Sequence, residues 1–282
     1  MAPLVSVRNL SFRYSGASAL ALSAVNFEIE SGEFVLLTGP SGSGKSTLLR
    51  AMNGLVPHFY GGDFSGEVRV GGVNTKNSEV SKLAEISGLV FSDPESQLVS
   101  LDVESDVAFG PQNLGLEKCE ILNRVNESIS QVGIENLRHK PPHELSGGEQ
   151  QKAAVASILS IRPKILVLDE PAANLDPLSA ASLMELLGEL NSKGTTVLIA
   201  EHRTTLVAPY ASRVLAMDSG RLLASGTPRE VFTSGVLNNL GIEIPAFYAI
   251  AQELTHRGLA LDGARNIQDL LKVVEGRKRK ND

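Results

Sequence analysis

A glycine-rich stretch that ends in lysine, serine and threonine constrains this chain more than any other part of its sequence. It reads Gly39-Pro40-Ser41-Gly42-Ser43-Gly44-Lys45-Ser46-Thr47, follows an apolar run at residues 34–37 and precedes a helical pattern at residues 48–52. A strand, a glycine loop and a helix in this order are typical of a phosphate-binding P-loop, whose backbone N–H groups converge on phosphate oxygens. The alternative is a strand-to-helix turn without a ligand. All four fixed positions of G-x-x-x-x-G-K-[S/T] are present, which favours the P-loop.

The P-loop predicts roles for individual side chains. A helix that begins at about Lys45 presents unpaired N–H groups and the positive end of its dipole to a phosphate. Lys45 is expected to reach the β- and γ-phosphates of a nucleotide, and the Ser46 hydroxyl is expected to bind Mg²⁺. A P-loop of this kind also requires an acidic Mg²⁺ partner on a neighbouring strand.

Two later apolar runs end in residues that suit such a site. Residues 165–168 are apolar and lead directly into Asp169 and Glu170. Because open α/β sheets bind ligands beyond the carboxyl ends of their strands, we expect these acids to face the P-loop rather than only solvent. A further buried strand at residues 195–200 is followed by Glu201, His202 and Arg203. From that position His202 can contact a γ-phosphate, although a structural role is also compatible with the sequence.

The remaining pattern predicts an α/β fold with two additions. Alternating apolar and polar residues at 4–14 and 24–30 predict two antiparallel strands before the P-loop strand. A loop is expected at residues 54–62, a short strand at 66–72 and a hairpin at 213–226. A helical pattern from Val103 to about Asn136 predicts an inserted helical subdomain at about residues 92–160. We therefore expect a mostly parallel sheet flanked by helices, with an N-terminal antiparallel β subdomain.

Composition excludes several classes of function. The formal charge of −6 argues against a surface that binds nucleic acid, and the basic run at residues 277–280 is expected to be a solvated tail. The single cysteine, Cys119, excludes an intrachain disulfide. The first ten residues do not resemble a secretion signal, and no window contains the ~20 apolar residues of a membrane span. Any role at a membrane is therefore expected to need a partner that spans it.

Taken in order, the motifs resemble those of the ATP-binding subunit of ABC transporters. The matching elements are Tyr14 as the adenine-stacking aromatic, residues 39–47 as Walker A, Leu145-Ser146-Gly147-Gly148-Glu149-Gln150 as the ABC signature, residues 165–170 as Walker B, Asn174-Leu175-Asp176 as the D-loop and His202 as the switch histidine. P-loops occur in many NTPases, whereas this signature is specific to ABC ATPases. The resemblance implies a P-loop NTPase core, an ATPase domain at residues 1–233 and a C-terminal helical extension with a basic tail at residues 234–282.

The resemblance also implies a mechanism. Two subunits pack head to tail, so that each ATP lies between residues 39–47 of one subunit and Ser146, Gly147 and Gly148 of the other. Asp169 holds Mg²⁺, Glu170 polarises the attacking water, and His202 contacts the γ-phosphate. Lys45 stabilises the charge of the transferred phosphoryl group.

Finer features are similar to the energy-coupling-factor and cobalt-transport branch of these ATPases. They are the segment Asp93-Pro94-Glu95-Ser96-Gln97, residues 103–111 and Glu201-His202-Arg203. The resemblance implies a peripheral subunit on the cytoplasmic face of the cell membrane that powers uptake of vitamins or of transition-metal ions such as cobalt and nickel. Its implied partners are a transmembrane scaffold, a substrate-binding membrane subunit and a second ATPase, either identical or a paralogue.

One residue departs from the family pattern. Ser92 stands where the family has the Q-loop glutamine, and Gln97 matches a second, downstream glutamine rather than the missing one. Two other functions stay open. A soluble ABC protein acting on ribosomes or DNA usually has two cassettes or a long coiled-coil insertion, and neither is present. A non-hydrolysing ATP-dependent clamp is favoured by Ser92 but opposed by Glu170 and His202.

Overall fold

The three-dimensional structure is a computed structural model that describes residues 2–257 and Leu271. The basic run at residues 277–280 lies outside the described residues. In chain order the strands are β1 (Val5–Tyr14), β2 (Leu22–Ile29), β3 (Phe34–Thr38), β4 (Gly62–Val70), β5 (Val73–Asn74), β6 (Ser87–Val90), β7 (Ile165–Asp169), β8 (Thr196–Ala200), β9 (Arg213–Asp218) and β10 (Arg221–Gly226). The α-helices are α1 (Lys45–Met52), α2 (Leu55–His58), α3 (Val80–Ala84), α4 (Val103–Asn113), α5 (Lys118–Val132), α6 (Gly147–Leu159), α7 (Pro177–Ser192), α8 (Thr204–Val207), α9 (Pro228–Thr233), α10 (Val236–Asn239) and α11 (Ala246–His256).

An antiparallel sheet with the strand order β2-β1-β4-β5 forms the N-terminal part of the fold. The predicted antiparallel pair is confirmed, since Val5 pairs with Ile29 and Val7 with Phe27. The predicted loop at residues 54–62 contains the short helix α2, and β4 begins at Gly62 rather than at residue 66. The earlier start follows from close backbone approach, because a Cβ at Gly62 would lie 2.1 Å from the Arg13 carbonyl oxygen.

The second sheet has the strand order β10-β9-β3-β8-β7-β6. All of its neighbouring strands are parallel except β10, which pairs with β9 in the predicted hairpin. Every residue of β3, β7 and β8 is buried. Such continuous burial is typical of parallel strands that are covered on both faces. These three strands lie side by side and in parallel, so their carboxyl ends share one edge of the sheet.

Two apolar cores cover the two faces of the second sheet. On one face, helix α1 contributes Leu48, Leu49 and Met52 to a core shared with the antiparallel sheet. On the other face, residues of α6 and α7 pack with Phe232 and Tyr248 of the C-terminal helices. The mixed α/β class predicted from the sequence is therefore confirmed.

Helices α4, α5 and α6 lie between β6 and β7 in the chain. The single helical pattern predicted from Val103 is divided into α4 and α5. The division occurs at Gly115, whose φ of 68° is a left-handed conformation that glycine adopts without strain. Within the described residues, no helix is both long and apolar enough to cross a bilayer.

Candidate functional site

The glycine loop between β3 and α1 creates the centre of the candidate site. Gly42 and Gly44 have positive φ values of 77° and 102°, which residues with a Cβ rarely adopt. A Cβ at Gly44 would also lie 2.6 Å from the Ala21 carbonyl oxygen. Helix α1 begins at Lys45, as predicted, so its first N–H groups point into the loop. The fold therefore supplies a backbone pocket with the polarity that a phosphate requires.

Lys45 lies inside this loop and is only 4% exposed. Its Nζ donates hydrogen bonds to the carbonyl oxygens of Gly39 at 3.0 Å and Pro40 at 3.2 Å, and it lies 3.6 Å from Glu170 Oε1. Burial lowers the pKa of Lys45, while the nearby carboxylates, Glu170 first among them, oppose that shift. The ammonium group is thus positioned at the loop with few water molecules to solvate it.

Asp169 ends β7 and faces the P-loop across β8. Its Oδ1 accepts a hydrogen bond from the Ser46 hydroxyl at 3.0 Å, and the residue is 8% exposed. Burial raises the pKa of Asp169, and the bond from Ser46 opposes the shift. A hydroxyl and a carboxylate are hard oxygen donors, which fit Mg²⁺ held jointly by protein and phosphate oxygens. The pair predicted to bind the metal is therefore adjacent.

Glu170 and His202 form the second half of the site. The backbone of Glu170 is left-handed, with φ of 50°, and its N–H bonds the Ala200 carbonyl oxygen. This turn directs the carboxylate to His202, whose Nε2 lies 2.8 Å from Glu170 Oε1 and 3.3 Å from Lys45 Nζ. A carboxylate accepts hydrogen bonds and an ammonium donates them, so Nε2 bonds Glu170 when it carries the ring proton and accepts from Lys45 when it does not. Lys45, Glu170 and His202 are thus within contact of one another.

Tyr14 lies beside the P-loop helix. Its hydroxyl is 3.0 Å from Thr47 Oγ1, and its ring packs edge-on against Phe12 and Tyr60. The half-buried ring therefore lies next to Thr47 in the first turn of α1. The sequence did not reveal the contact with Thr47, because the two residues belong to elements far apart in the chain.

The signature residues lie apart from this cluster. Ser146 caps α6: its hydroxyl accepts from the Glu149 N–H at 3.4 Å, and the Glu149 carboxylate accepts from the Ser146 N–H at 2.8 Å. Gly147 lines a cleft of about 350 Å³ together with Ser92 and the D-loop residues Asn174 and Leu175. The site assembled by one chain therefore contains the P-loop, Asp169, Glu170 and His202, without Ser146, Gly147 and Gly148.

Ser92 and Gln97 occupy different surroundings after β6. Ser92 is exposed and lines the 350 Å³ cleft. Gln97 Oε1 accepts a hydrogen bond from the Phe91 backbone N–H at 3.0 Å, so this side chain closes its own loop. Gln97 therefore stabilises the loop that contains Ser92.

Glu201 is a buried residue at the site to which the sequence motifs assigned no role of its own. It follows β8 directly and is 2% exposed. Its Oε1 accepts hydrogen bonds from the backbone N–H groups of His202 at 2.9 Å and Arg203 at 3.2 Å. Its sequence signals were its place in the segment Glu201-His202-Arg203 and its position between a fully apolar strand and a candidate phosphate-binding histidine.

Comparison with known proteins gives consistent matches. The family model described as ABC transporter matches residues 22–173. The energy-coupling factor transporter ATP-binding protein EcfA of Methanocaldococcus jannaschii is 44% identical over 232 residues, which cover 82% of this chain and 81% of that protein. CbiO1 of Clostridium perfringens, part of the ABC transporter complex CbiONQ, superposes with a TM-score of 0.75 and 35% identity over 89% of this chain and all of that one. A dimeric ATP-binding cassette in a post-hydrolysis state with ADP and Pi superposes with a TM-score of 0.69 and 28% identity, covering 79% of this chain and 98% of that one.

Proposed function

The chain belongs to the ABC transporter family as its ATP-binding subunit and has that family's ATPase domain, and from this premise we propose that it powers an importer of the energy-coupling-factor type. The observation that carries ATP hydrolysis, the part of the proposal that powers transport, is the cluster of Lys45, Glu170 and His202 beside the Ser46–Asp169 pair. All of these residues lie at the shared carboxyl edge of β3, β7 and β8. Phosphoryl transfer to water requires positioned charge more than covalent chemistry, and this cluster provides it.

Each side chain has a separate task in the proposed reaction. Lys45 turns its ammonium from the loop carbonyls to the β- and γ-phosphate oxygens of ATP. Glu170 accepts a hydrogen bond from the attacking water, and His202 donates a hydrogen bond from its Nε2–H group to the γ-phosphate. Ser46 and Asp169 would hold Mg²⁺. When bound, the metal neutralises charge on the β- and γ-phosphates.

The nucleoside and the second subunit complete the proposed site. Tyr14 stacks on the adenine, because an aromatic face presents a flat apolar surface to a base. Gly39, Pro40, Ser41, Gly42, Ser43, Gly44 and Thr47 surround the phosphates. Ser146, Gly147 and Gly148 of a second ATPase, identical or a paralogue, close the site from the opposite side. Ser146 and Gly147 are exposed and Gly148 is half-buried at the start of α6, which supports this arrangement.

The importer type is supported by two relatives. One is named as an energy-coupling factor subunit, and the other is part of a complex called CbiONQ. We propose that residues 1–233 act as the ATPase domain, with about 92–160 as the helical subdomain and 234–282 as an extension. We further propose that the subunit is peripheral to the cytoplasmic face of the membrane. There it binds a transmembrane scaffold and a substrate-binding subunit that imports a vitamin or a transition-metal ion.

Calorimetric titration with Mg-ATP tests the assignment of the site. Lys45→Ala removes charge-assisted hydrogen bonds worth about 1.5–3 kcal/mol each, so the Kd should rise by at least ~10-fold. Lys76→Ala, which changes an exposed lysine in the 3-10 turn after β5, is the matched control and should bind like the parent. Equal affinity of Lys45→Ala and the parent would refute the site.

A further inference from the structure

The carboxylate of Glu201 is buried, and one of its oxygens has no hydrogen-bond partner. Oε1 binds the N–H groups of His202 and Arg203, whereas Oε2 is buried and unpaired. Burial of a charged carboxylate is costly unless its oxygens are paired, so the surrounding fold gains little from a glutamate here. None of the tasks proposed above uses this residue. A residue that costs stability beside a reactive site is a candidate for a role in the reaction.

The contacts of Glu201 determine the path of the chain into His202. The backbone N–H of Glu201 bonds the Leu37 carbonyl oxygen, which fixes its own position on the P-loop strand. Its carboxylate then turns back and holds the next two N–H groups. The same turn is fixed further along by the hydrogen bond from the Thr204 hydroxyl to the Glu243 carbonyl oxygen. The imidazole of His202 is consequently supported from a backbone that is held on both sides.

We propose that Glu201 is a positioning residue: its carboxylate oxygen holds the His202 backbone so that Nε2 can contact Glu170 and the γ-phosphate. This role rests on the proposed function. The role depends on a hydrogen-bond acceptor and not on negative charge. Displacement of a reacting group by about 1 Å can cost ~100-fold in rate, so the loss of this support should be measurable.

Two variants of similar length separate the acceptor from the charge. Glu201→Met fills the buried volume without an acceptor, whereas Glu201→Gln keeps an amide oxygen that can accept both N–H groups. Glu201→Met should lower kcat at least ~10-fold and leave KM for ATP within about threefold, because His202 acts in the transition state. Glu201→Gln should retain kcat within about threefold of the parent.

A double-mutant cycle tests whether the effect passes through His202. In a His202→Ala background, Glu201→Met should lower kcat no further. Thr196→Val is the matched control. It removes the acceptor of the Gly32 N–H at the other end of β8, so it should lower the melting temperature but not kcat. A loss of kcat that adds to that of His202→Ala would overturn the proposal.

NMR of the imidazole groups gives a readout that does not require turnover. The chain has five histidines, and His202→Ala identifies the resonance of His202. Glu201→Met should shift or broaden that resonance, while Glu201→Gln and Thr196→Val should leave it in place.

An unchanged resonance in a folded Glu201→Met protein, or a loss of kcat in Glu201→Gln as large as in Glu201→Met, would reject the positioning role. If Glu201→Met does not fold, retained kcat and resonance in Glu201→Gln support the role and their loss rejects it. A parent protein that does not hydrolyse Mg-ATP even in the assembled complex with its partner ATPase refutes the proposed function instead, and the resonances still decide the positioning role.

Discussion

The charges that surround the P-loop oppose the stability of the folded chain. Burial lowers the pKa of Lys45 and raises the pKa of Asp169, so each group is harder to ionise than it is in water. For Asp169, the folded chain binds more protons than the unfolded chain at pH values between its ordinary value of about 3.9 and the raised pKa. The free energy of unfolding therefore falls as pH rises through that window, and the loss persists at neutral pH.

We predict that Asp169→Asn raises the melting temperature of the nucleotide-free protein at pH 7. The asparagine Oδ1 can still accept the hydrogen bond from Ser46, but it carries no charge to desolvate. The difference from the parent should shrink as pH falls through the raised pKa, because Asp169 then becomes protonated. Calorimetric melting between pH 4 and pH 7 measures it, and a less stable variant at pH 7 would contradict the assignment.

Ser92 permits a second prediction at the scale of the residue. If its short side chain cannot span to Mg²⁺ and the attacking water, Ser92→Gln should raise turnover of the assembled transporter. A lost positioning contact commonly costs about tenfold, which is about 1.4 kcal/mol of barrier. Steady-state assays of the reconstituted complex measure the gain, with Ser96→Gln in the same loop as the control.

The result of the Ser92→Gln assay also distinguishes a subunit that hydrolyses ATP from one that mainly binds it. If a paired ATPase with a complete Q-loop performs most of the hydrolysis, Ser92→Gln changes little and Glu170→Gln is tolerated here better than its equivalent in the partner. This result would favour a subunit that mainly binds ATP to hold the dimer. Unchanged turnover in Ser92→Gln together with loss of turnover in Glu170→Gln would show that serine is sufficient.

At the scale of elements, the N-terminus of α6 is held by a reciprocal cap. We predict that Glu149→Ala lowers the free energy of unfolding by about 1 kcal/mol, or about 2–4 °C in melting temperature, because one half of the cap is lost. Hydrogen bonds from the backbone and then the hydroxyl of Ser146 lower the pKa of Glu149. The stabilisation is therefore present at neutral pH and disappears as pH falls through the lowered pKa.

Glu185→Ala, an exposed change in the middle of α7, is the control for this melting experiment. The affinity of the isolated chain for Mg-ATP should be the same in parent and Glu149→Ala, since the cap lies apart from the P-loop. Equal melting temperatures of Glu149→Ala and Glu185→Ala at pH 7 would show that the cap contributes nothing.

Elements with a local cause were predictable from the sequence. The apolar runs of β3, β7 and β8 and the start of α1 at Lys45 follow from periodicity and glycine placement alone. The early start of β4 was not predictable, because it depends on the approach of Gly62 to the backbone of β1. The break between α4 and α5 was missed because the helical pattern continues on both sides of Gly115.

The candidate site was likewise predictable only in part. Strand order places Lys45, Asp169 and His202 at one edge of the sheet, and the sequence pattern was sufficient to predict that convergence. The contact between Tyr14 and Thr47 and the buried contacts of Glu201 depend on side-chain packing between distant elements. No periodicity encodes such contacts, so only the folded structure reveals them.

At the scale of the whole molecule, one chain provides half of each proposed ATP site. We predict that Glu170→Gln binds Mg-ATP but accumulates as an ATP-bound dimer, because the group that orients water is lost while the phosphate contacts remain. Size-exclusion chromatography with Mg-ATP measures this, alone and with the partner ATPase. Adding Lys45→Ala to the same chain should restore the monomer. A Glu170→Gln protein that is monomeric both alone and with the partner ATPase would count against the head-to-tail dimer with ATP at its interface.

The parallel pairing of β3 with β8 also affects how the protein is made. The hydrogen bond from the Gly32 N–H to Thr196 Oγ1 joins residues 164 positions apart at the start of these two strands. During synthesis, β3 therefore leaves the ribosome long before its neighbour exists, as four apolar residues and a threonine without a partner strand. Pairings of such separation form slowly, and unpaired apolar strands promote aggregation in the meantime. The nascent chain should accordingly depend on a chaperone until β8 has emerged.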